Sequence, residues 1–347
     1  MPEKREVTIY DIAKKLNLSA STVSRGLRNH SAIKQATINR IQDAAQNMGY
    51  QQNPFASNLR KNQSNAIGVI LPRFESTFMA AVVSGIEHVI RSKGYNLVLS
   101  QSIDSVKMEK ENIKTLFNSR VEGLLISLTP ETKGLSHLDV FFRKQVPVVL
   151  FDRVGEGAGC LCTTVVINNR QAGYEATAHL LDQGCKRILY LGENQTCSVF
   201  GERANGYKEA LEKYEIAYDP KLMIFDNLNE GSGSRTLEKI LDMDERPDGI
   251  FAANDVSAVS VMTALKRYGF RIPHDIAIVG FNNGLVSRIV EPGLTTINYP
   301  AVEMGRIAAS NLISLLDRDN QIEAQSVVLK HKLVIRGSSL RHKETEK

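Results

Sequence analysis

Residues 16–30 read LNLSASTVSRGLRNH, and this stretch determines how the first part of the chain folds. Ser19 is a favourable N-cap, so we expect a short helix to begin directly after it. Val23 and Leu27 lie four residues apart and would share the inward face of that helix. The outward face then carries small side chains and two arginines, namely Ala20, Ser21, Ser24, Arg25 and Arg28.

The segments on either side of this helix complete a three-helix unit. Thr8 and Asp11 stand at capping-box positions, which predicts a first helix from residue 9. Asn17 suits a left-handed turn between the first two helices. A third helix is predicted over about 35–48 and would end at Gly49.

Two short helices joined by a tight turn form a helix-turn-helix, whose second helix enters the DNA major groove. An arginine can bridge the two acceptors of a guanine, and small hydroxyl side chains can bond phosphates or base edges. The pattern therefore predicts a DNA-binding head. On the second helix alone, an ordinary solvated helix face remains an alternative.

The distribution of charge favours the DNA-binding interpretation. Residues 1–61 contain ten Lys or Arg and four Asp or Glu, a balance of +6. The rest of the chain contains 33 basic and 34 acidic residues, a balance of −1, so all the excess positive charge lies in the head. A basic head on a near-neutral body is typical of a protein that binds a polyanion.

A short segment after the head could form a helix only on a partner. Asn53 is a good N-cap and Pro54 suits the first helical position, but two turns are marginal for an isolated helix. Leu59 is apolar and Arg60 is basic, a combination suited to wedging into a minor groove. A flexible linker is the alternative interpretation.

From Ala66 onward, short apolar runs alternate with helical segments in two series. This alternation is typical of parallel sheets covered on both faces, so we expect two doubly wound α/β lobes after the all-α head. The expected bounds are about 65–163 and 294–325 for lobe 1, about 164–293 and 326–340 for lobe 2, and 341–347 for a tail.

Polar residues follow strand after strand in the body, which predicts a pocket for a small polar molecule between the lobes. The chain has neither a P-loop sequence nor an HExxH motif, so we expect no enzyme activity, no cofactor and no metal. Reduced thiols are favoured over a metal site for the four cysteines. With no long apolar run and no signal-like start, we expect a cytoplasmic protein without a membrane partner.

Several longer stretches together resemble one known family. They are TIYDIAKKLNLSASTVSRGL (8–27), GYQQNPFASNLR (49–60), IGVILP (67–72), NNRQAGYEATAHLLDQG (168–184), ERANGYKEAL (202–211), AANDVSA (252–258), IAIVGFNN (276–283), LTTINYPAVEMGRIAA (294–309) and LVIRGSS (333–339). In this order and spacing the chain is similar to the bacterial lactose/galactose repressor (LacI/GalR) family of transcriptional regulators.

The resemblance implies a homodimer that binds double-stranded, palindromic operator DNA and is controlled by a small effector, often a sugar. It implies a regulator, most simply a repressor, of a carbohydrate-utilisation operon. Its head would be residues 1–61, including a hinge helix at about 53–60, and its body, residues 62–340, would resemble periplasmic binding proteins. The DNA-binding positions carried over are Thr8, Ala20, Ser21, Thr22, Ser24, Arg25, Arg28, Asn53 and Leu59. The effector-binding positions carried over are Phe78, Asp152, Arg153, Arg203, Asn254 and Asn282, to which we add Arg73.

The chain departs from the family pattern in ways that concern the effector. Arg73 stands where an acid is common, and Asn168 and Asn282 stand where aspartates are common. If Arg73 converges with Arg153 and Arg203, the effector could be a sugar acid or a phosphosugar rather than a neutral sugar. Arg73 could instead point to solvent.

Two other classes of protein share the predicted body. A sugar-binding protein without a DNA role would need neither the basic head nor its helix-turn-helix. A doubly wound enzyme acting on a sugar would need a phosphate-binding loop or a catalytic constellation, which the sequence does not show.

Overall fold

The structure, a computed structural model, describes residues 7–50, 64–155, 157–193, 198–317 and 324–341. The chain divides into two compact units, Met1–Ser64 and Asn65–Lys347, close to the boundary expected after residue 61. The expected hinge helix, with Asn53 and Leu59, lies outside the described residues, as does nearly all of the expected tail. Those expectations stay predictions.

The head unit contains α1 (Ile9–Leu16), α2 (Ala20–Gly26) and α3 (Gln35–Met48). A capping box begins α1: the Asp11 N–H donates to Thr8 Oγ1, and the Thr8 N–H donates to the Asp11 carboxylate at 2.8 Å. Asn17 takes the left-handed conformation that the turn requires, with φ 53°. The helix-turn-helix prediction is confirmed.

The three helices of the head enclose a small apolar core. Ile12, Val23 and Ile41, one from each helix, are fully buried. A Cβ at Gly26 would lie 2.4 Å from the Ile41 Cδ1 atom. Glycine lowers helix stability, but at this residue it makes room for α3 to pack closely on α2.

The body unit contains two six-stranded sheets. The first contains β1 (Ala66–Leu71), β2 (Asn96–Gln101), β3 (Gly123–Ile126), β4 (Val148–Phe151), β5 (Thr163–Ile167) and β11 (Ser326–Leu329), in the order β11-β5-β4-β3-β1-β2. The second contains β6 (Ile188–Gly192), β7 (Met223–Phe225), β8 (Gly249–Ala252), β9 (Ala277–Asn282), β10 (Thr295–Asn298) and β12 (Lys332–Val334), in the order β12-β10-β9-β8-β6-β7. Paired strands are parallel, except that β12 runs antiparallel to β10. The prediction of two doubly wound lobes is confirmed, and we call the parts built on these sheets lobe 1 and lobe 2.

The strand pairing corrects the expected lobe boundaries at all three crossings. β5 lies in the first sheet beside β4, although residues from 164 onward were assigned to lobe 2. β10 lies in the second sheet beside β9, and β11 lies in the first sheet beside β5, each opposite to expectation. Every crossing comes one strand later than predicted, because the residue pattern of a single strand does not show which sheet it joins.

Helices cover both sheets. They are α4 (Thr77–Ser92), α5 (Val106–Asn118), α6 (Asp139–Arg143), α7 (Asn169–Asp182), α8 (Ser198–Lys213), α9 (Ser232–Leu241), α10 (Asp255–Tyr268), α11 (Val286–Ile289) and α12 (Ala301–Leu316). In lobe 1, α4 crosses α12 at Gly85 and Gly305, and in lobe 2, α7 crosses α8 at Gly173 and Gly206. A Cβ at Gly305 or Gly206 would lie 2.0 Å from a carbonyl oxygen of the facing helix. Within the described ranges, no helix is long and apolar enough to cross a membrane.

Candidate DNA-binding face and effector site

Three hydroxyl groups meet at the N-terminus of α2. Ser19 caps the helix, and its Oγ accepts a hydrogen bond from the Thr22 N–H at 3.1 Å. The same oxygen lies 2.8 Å from the hydroxyl oxygens of Ser21 and Thr22. Part of the hydroxyl cluster in the sequence therefore serves to begin the helix, while the Ser21 side chain stays exposed.

An open concavity of about 290 Å³ lies between α1 and α2 on the head. It is lined by Ile9, Tyr10, Ala20, Ser21, Ser24, Arg25 and Arg28. Ser24 orients Arg28, whose guanidinium donates to the Ser24 carbonyl at 3.1 Å and to its hydroxyl at 2.9 Å. Arg25 is exposed. Most residues expected to contact DNA thus share one surface, whereas Thr8 and Thr22 take part in helix caps.

Sequence reasoning missed the contribution of α1 to this surface. Tyr10 lines the concavity with 71 % of its surface exposed, beside Ile9. The buried face of α1 is formed by Ile12 and Ala13, so Tyr10 lies on the outer face. An aromatic side chain on the polar face of the first helix was the available signal.

In the body, Asp152 lies at the junction of the two lobes. It follows β4 with φ 59°, and only 5 % of its surface is exposed. The Tyr299 hydroxyl donates to its Oδ1 at 2.9 Å, and the Ser127 hydroxyl donates to its Oδ2 at 3.3 Å. Burial raises the pKa of the Asp152 carboxyl above its ordinary value, although Arg153 and Arg203 oppose the increase. Since Tyr299 lies between β10 and α12, its hydrogen bond joins a lobe crossing to lobe 1.

Arg203 of α8 is held on the lobe 2 side of this junction with 3 % of its surface exposed. Its Nε donates to Asn169 Oδ1 at 2.9 Å, and its Nη1 donates to the Ala253 carbonyl at 2.8 Å. The guanidinium carbon lies 3.6 Å from the centre of the Phe281 ring, a cation–π contact. These contacts fix the orientation of a buried positive charge.

A chain of ion pairs links residues that follow strands β1, β2, β4 and β6, at the carboxyl ends of the two sheets. Arg73 Nε donates to Asp104 Oδ2 at 2.5 Å, and Arg153 Nη1 donates to Asp104 Oδ1 at 2.8 Å. Arg153 Nη2 lies 3.9 Å from Glu193 Oε2 in lobe 2. Burial raises the pKa of the Glu193 carboxyl. Arg73 is half-exposed, yet it shares a carboxylate with Arg153 rather than pointing freely into solvent.

The two expected asparagines end neighbouring strands of lobe 2. Asn254 follows β8 and caps α10, its Oδ1 accepting from the Ser257 N–H at 2.7 Å. Its Nδ2 donates to a backbone carbonyl at 2.9 Å, so this side chain already has structural partners. Asn282 ends β9 in a left-handed conformation with φ 108°.

The structure adds three residues that sequence reasoning missed. Asp104 follows β2 just as Arg73 follows β1, so its place after a strand was the available signal. Phe200 lies under two guanidiniums, 5.6 Å from Arg153 and 5.3 Å from Arg203. Tyr299 packs on the expected Phe78 ring at 4.5 Å between centroids. Among the described residues, no group of three or more His, Cys, Asp or Glu side chains could hold a metal.

Comparison with known proteins identifies both units. The model of the bacterial regulatory proteins of the lacI family matches residues 8–53, and that of the periplasmic binding protein-like domain matches residues 177–339. The HTH-type transcriptional repressor CytR of Escherichia coli is 30 % identical over 341 residues, which cover 97 % of each chain. The solved complex of the transcriptional regulator CelR with cellobiose is 25 % identical, with a TM-score of 0.72 over 96 % of this chain and 100 % of that chain. The lac repressor dimer bound to operator and the anti-inducer ONPF shares the fold, at 24 % identity and a TM-score of 0.85 over 97 % of this chain and 100 % of the other.

The similarity therefore extends through the head and both lobes. These three relatives are transcriptional regulators rather than enzymes. With a 30 % identical relative matched along nearly its whole length, the chain belongs to the lacI family of bacterial transcriptional regulators.

Proposed function

We propose that this regulator is a repressor that binds a palindromic operator as a homodimer and responds to a small sugar-like effector in the body. The observation that carries the DNA-binding part is the concavity on the head, where Ser21, Arg25 and Arg28 line one open surface. The regulated genes would be those of a carbohydrate-utilisation operon. The protein would act in the cytoplasm, where such an operator lies.

Arg25 is the residue we expect to read a base. Its exposed guanidinium can donate two hydrogen bonds to N7 and O6 of a guanine, which discriminates one base pair by about 1–3 kcal/mol. Arg28 is braced by Ser24 and would contact a phosphate. Ala20 is small and half-buried, so the backbone of α2 can approach the groove closely.

Homodimer formation is supported by apolar residues on the sheet edges. Val98 and Leu99 lie on β2, and Phe225 lies on β7, each with about two-fifths of its surface exposed. β2 and β7 are edge strands of the two sheets. Exposed apolar side chains on an edge favour contact with another chain. A two-fold dimer would place two heads on the two halves of a palindrome.

The effector would bind where the lobes meet. The half-buried Phe78 offers a ring surface to a sugar, and the ion-pair chain offers donors and acceptors to its hydroxyl groups. The three guanidiniums of this region face three carboxylates, those of Asp104, Asp152 and Glu193. This balance favours an uncharged ligand over the sugar acid or phosphosugar that the arginines suggested in the sequence. The structure of CelR with cellobiose supports the same class of ligand.

The lobes would transmit effector binding to DNA through the segment that joins head and body. A change in the angle between the lobes would alter the spacing of the two hinge segments in a dimer, and thereby the affinity for the operator. Asn53 would cap the hinge helix, and Leu59 would wedge into the minor groove. Both roles stay predictions.

The DNA-binding proposal is tested with two matched arginine variants. An operator is first selected from a randomised DNA pool with the full chain, and affinities are measured by fluorescence anisotropy. In Arg25→Ala, the affinity ratio between the preferred base pair and the others at one operator position should fall about 5–150-fold. Arg40→Ala removes the same charge from an exposed residue that does not line the concavity, and should weaken all sequences alike. If Arg25→Ala keeps the base-pair preference of the unaltered protein, the proposed docking of α2 in the major groove is wrong.

The two rival classes of protein make different predictions for the ligand. Calorimetry with neutral sugars and the corresponding sugar acids identifies the class of effector, and the same ligands are then added to the operator complex. A regulator changes its operator affinity when ligand binds. A solute-binding protein would bind sugar without binding the selected DNA, and an enzyme would convert the sugar.

A further inference from the structure

We propose that Asp104 sets the charge selectivity of the effector site, so that the site accepts an uncharged, hydroxyl-bearing ligand and excludes the corresponding acid. The proposal rests on the function proposed above, because it concerns the same site. Its starting point is one carboxylate placed between two arginines. Asp104 accepts from Arg73 at 2.5 Å through Oδ2 and from Arg153 at 2.8 Å through Oδ1.

The backbone holds this carboxylate in place. Ile103 and Asp104 are consecutive residues in the left-handed region, with φ 50° and 53°. A β-branched residue rarely adopts this conformation, so the turn is strained. It is fixed at both ends: the Ser102 N–H donates to the Leu71 carbonyl at 2.9 Å, and Ser105 caps α5. The fold therefore fixes the backbone of Asp104, and the hydrogen bonds with Arg73 and Arg153 orient its carboxylate.

The Asp104 charge and one of its two arginines are only slightly exposed to solvent. The side chains of Asp104 and Arg153 are 18 % and 14 % exposed, whereas that of Arg73 is 53 % exposed. Glu193, at 3.9 Å, is too distant from Arg153 for a hydrogen bond. A ligand carboxylate or phosphate approaching the two guanidiniums would meet the Asp104 charge in the same place. A ligand hydroxyl, in contrast, can donate to the remaining lone pairs of Asp104.

The test uses an anion that requires no knowledge of the effector. Asp104→Asn removes the charge and keeps a side chain that tolerates the left-handed turn, and Asp104→Gly is a second such variant. Asp226→Asn is the matched control, since Asp226 accepts from Arg235 at 2.6 Å with similar exposures of 17 % and 44 %. Inorganic sulfate is titrated into each full-length protein by calorimetry at constant ionic strength. Circular dichroism confirms that each variant is folded.

We expect Asp104→Asn to bind sulfate at least tenfold more tightly than the unaltered protein. The gain should be absent in Asp226→Asn, and it should disappear when Arg153→Met is added to Asp104→Asn. Equal sulfate affinity with and without Asp104 would overturn the proposal, as would a gain that survives the loss of Arg153. Failure of the proposed function would appear separately, as an unaltered protein that binds neither sugars nor operator.

Discussion

Replacing Asp255 by asparagine should change how the stability of the body depends on pH. Asp255 is the first residue of α10, and only 2 % of its surface is exposed. Its carboxylate accepts hydrogen bonds from the Thr296 hydroxyl at 2.6 Å and from the Gly284 N–H at 2.7 Å. Burial nevertheless raises its pKa from 3.8 to about 7, because the effects of these bonds and of Arg336 are smaller.

The size and the sign of the effect follow from this pKa. Between pH 3.8 and 7 the unfolded chain loses the proton while the folded chain keeps it, so stability falls as pH rises. The stability that the buried, protonated Asp255 carboxyl contributes is fully present below pH 3.8 and is lost as pH rises through 7. At about 1.4 kcal/mol per pH unit over roughly three units, the loss is about 4 kcal/mol. Asparagine has no such proton to lose. Between pH 4 and pH 8, the free energy of unfolding of Asp255→Asn should therefore rise by about 4 kcal/mol relative to that of the unaltered protein.

Urea unfolding followed by circular dichroism at pH 4, 5, 6, 7 and 8 measures this difference at constant ionic strength. The difference between variant and unaltered protein removes the titration of all groups that the two proteins share. Asp244→Asn, at an exposed residue of the same lobe, is the matched control. If the difference for Asp255→Asn stays constant from pH 4 to pH 8, the raised pKa is wrong.

Two further substitutions test the packing of the body. Gly206→Ala puts a Cβ 2.0 Å from a backbone oxygen of α7 and should destabilise lobe 2 by about 1–3 kcal/mol or more. The control Gly134→Ala has open space around its Cβ and should not destabilise the protein. Equal melting temperatures of the two variants would contradict the close crossing of α7 and α8. Tyr299→Phe removes a hydrogen bond from the buried Asp152 and should lower the stability by about 1–3 kcal/mol. The control Tyr214→Phe removes an exposed hydrogen bond to Asp182 and should lower the stability little. Thermal melting measures both pairs, and equal effects of the two tyrosine variants would contradict the role of the buried bond.

The head could be predicted from the sequence because each of its signals is local. The capping residues Thr8 and Ser19 lie within three residues of the backbone groups that they bond. Asn17 and Gly49 end their helices through a conformation that their own residue types favour. The outer face of α2 then follows from helical spacing alone. None of these steps needs knowledge of another part of the chain.

The body could be predicted only in outline, because its decisive contacts are distant in sequence. The alternation of strands and helices indicated parallel sheets, but which sheet receives β5, β10 or β11 depends on partners far along the chain. The bond between Tyr299 and Asp152 spans 147 residues, and the pair of Arg73 with Asp104 spans 31. Sequence reasoning recognised the arginines and Asp152 but missed Asp104, the carboxylate that Arg73 and Arg153 share.

The location of Asp152 would connect the proposed ligand binding to the proposed movement of the lobes. Asp152 belongs to lobe 1, Arg203 belongs to lobe 2, and Tyr299 lies on a crossing between them. Tyr299 donates to Asp152, and its ring centre lies 5.8 Å from the Arg203 guanidinium. A ligand can shift a conformational equilibrium only if it binds the two states with different affinity. Groups from both lobes and from a crossing meet in one buried cluster. A ligand that bonded both Asp152 and Arg203 would therefore make contacts whose strength depends on the angle between the lobes.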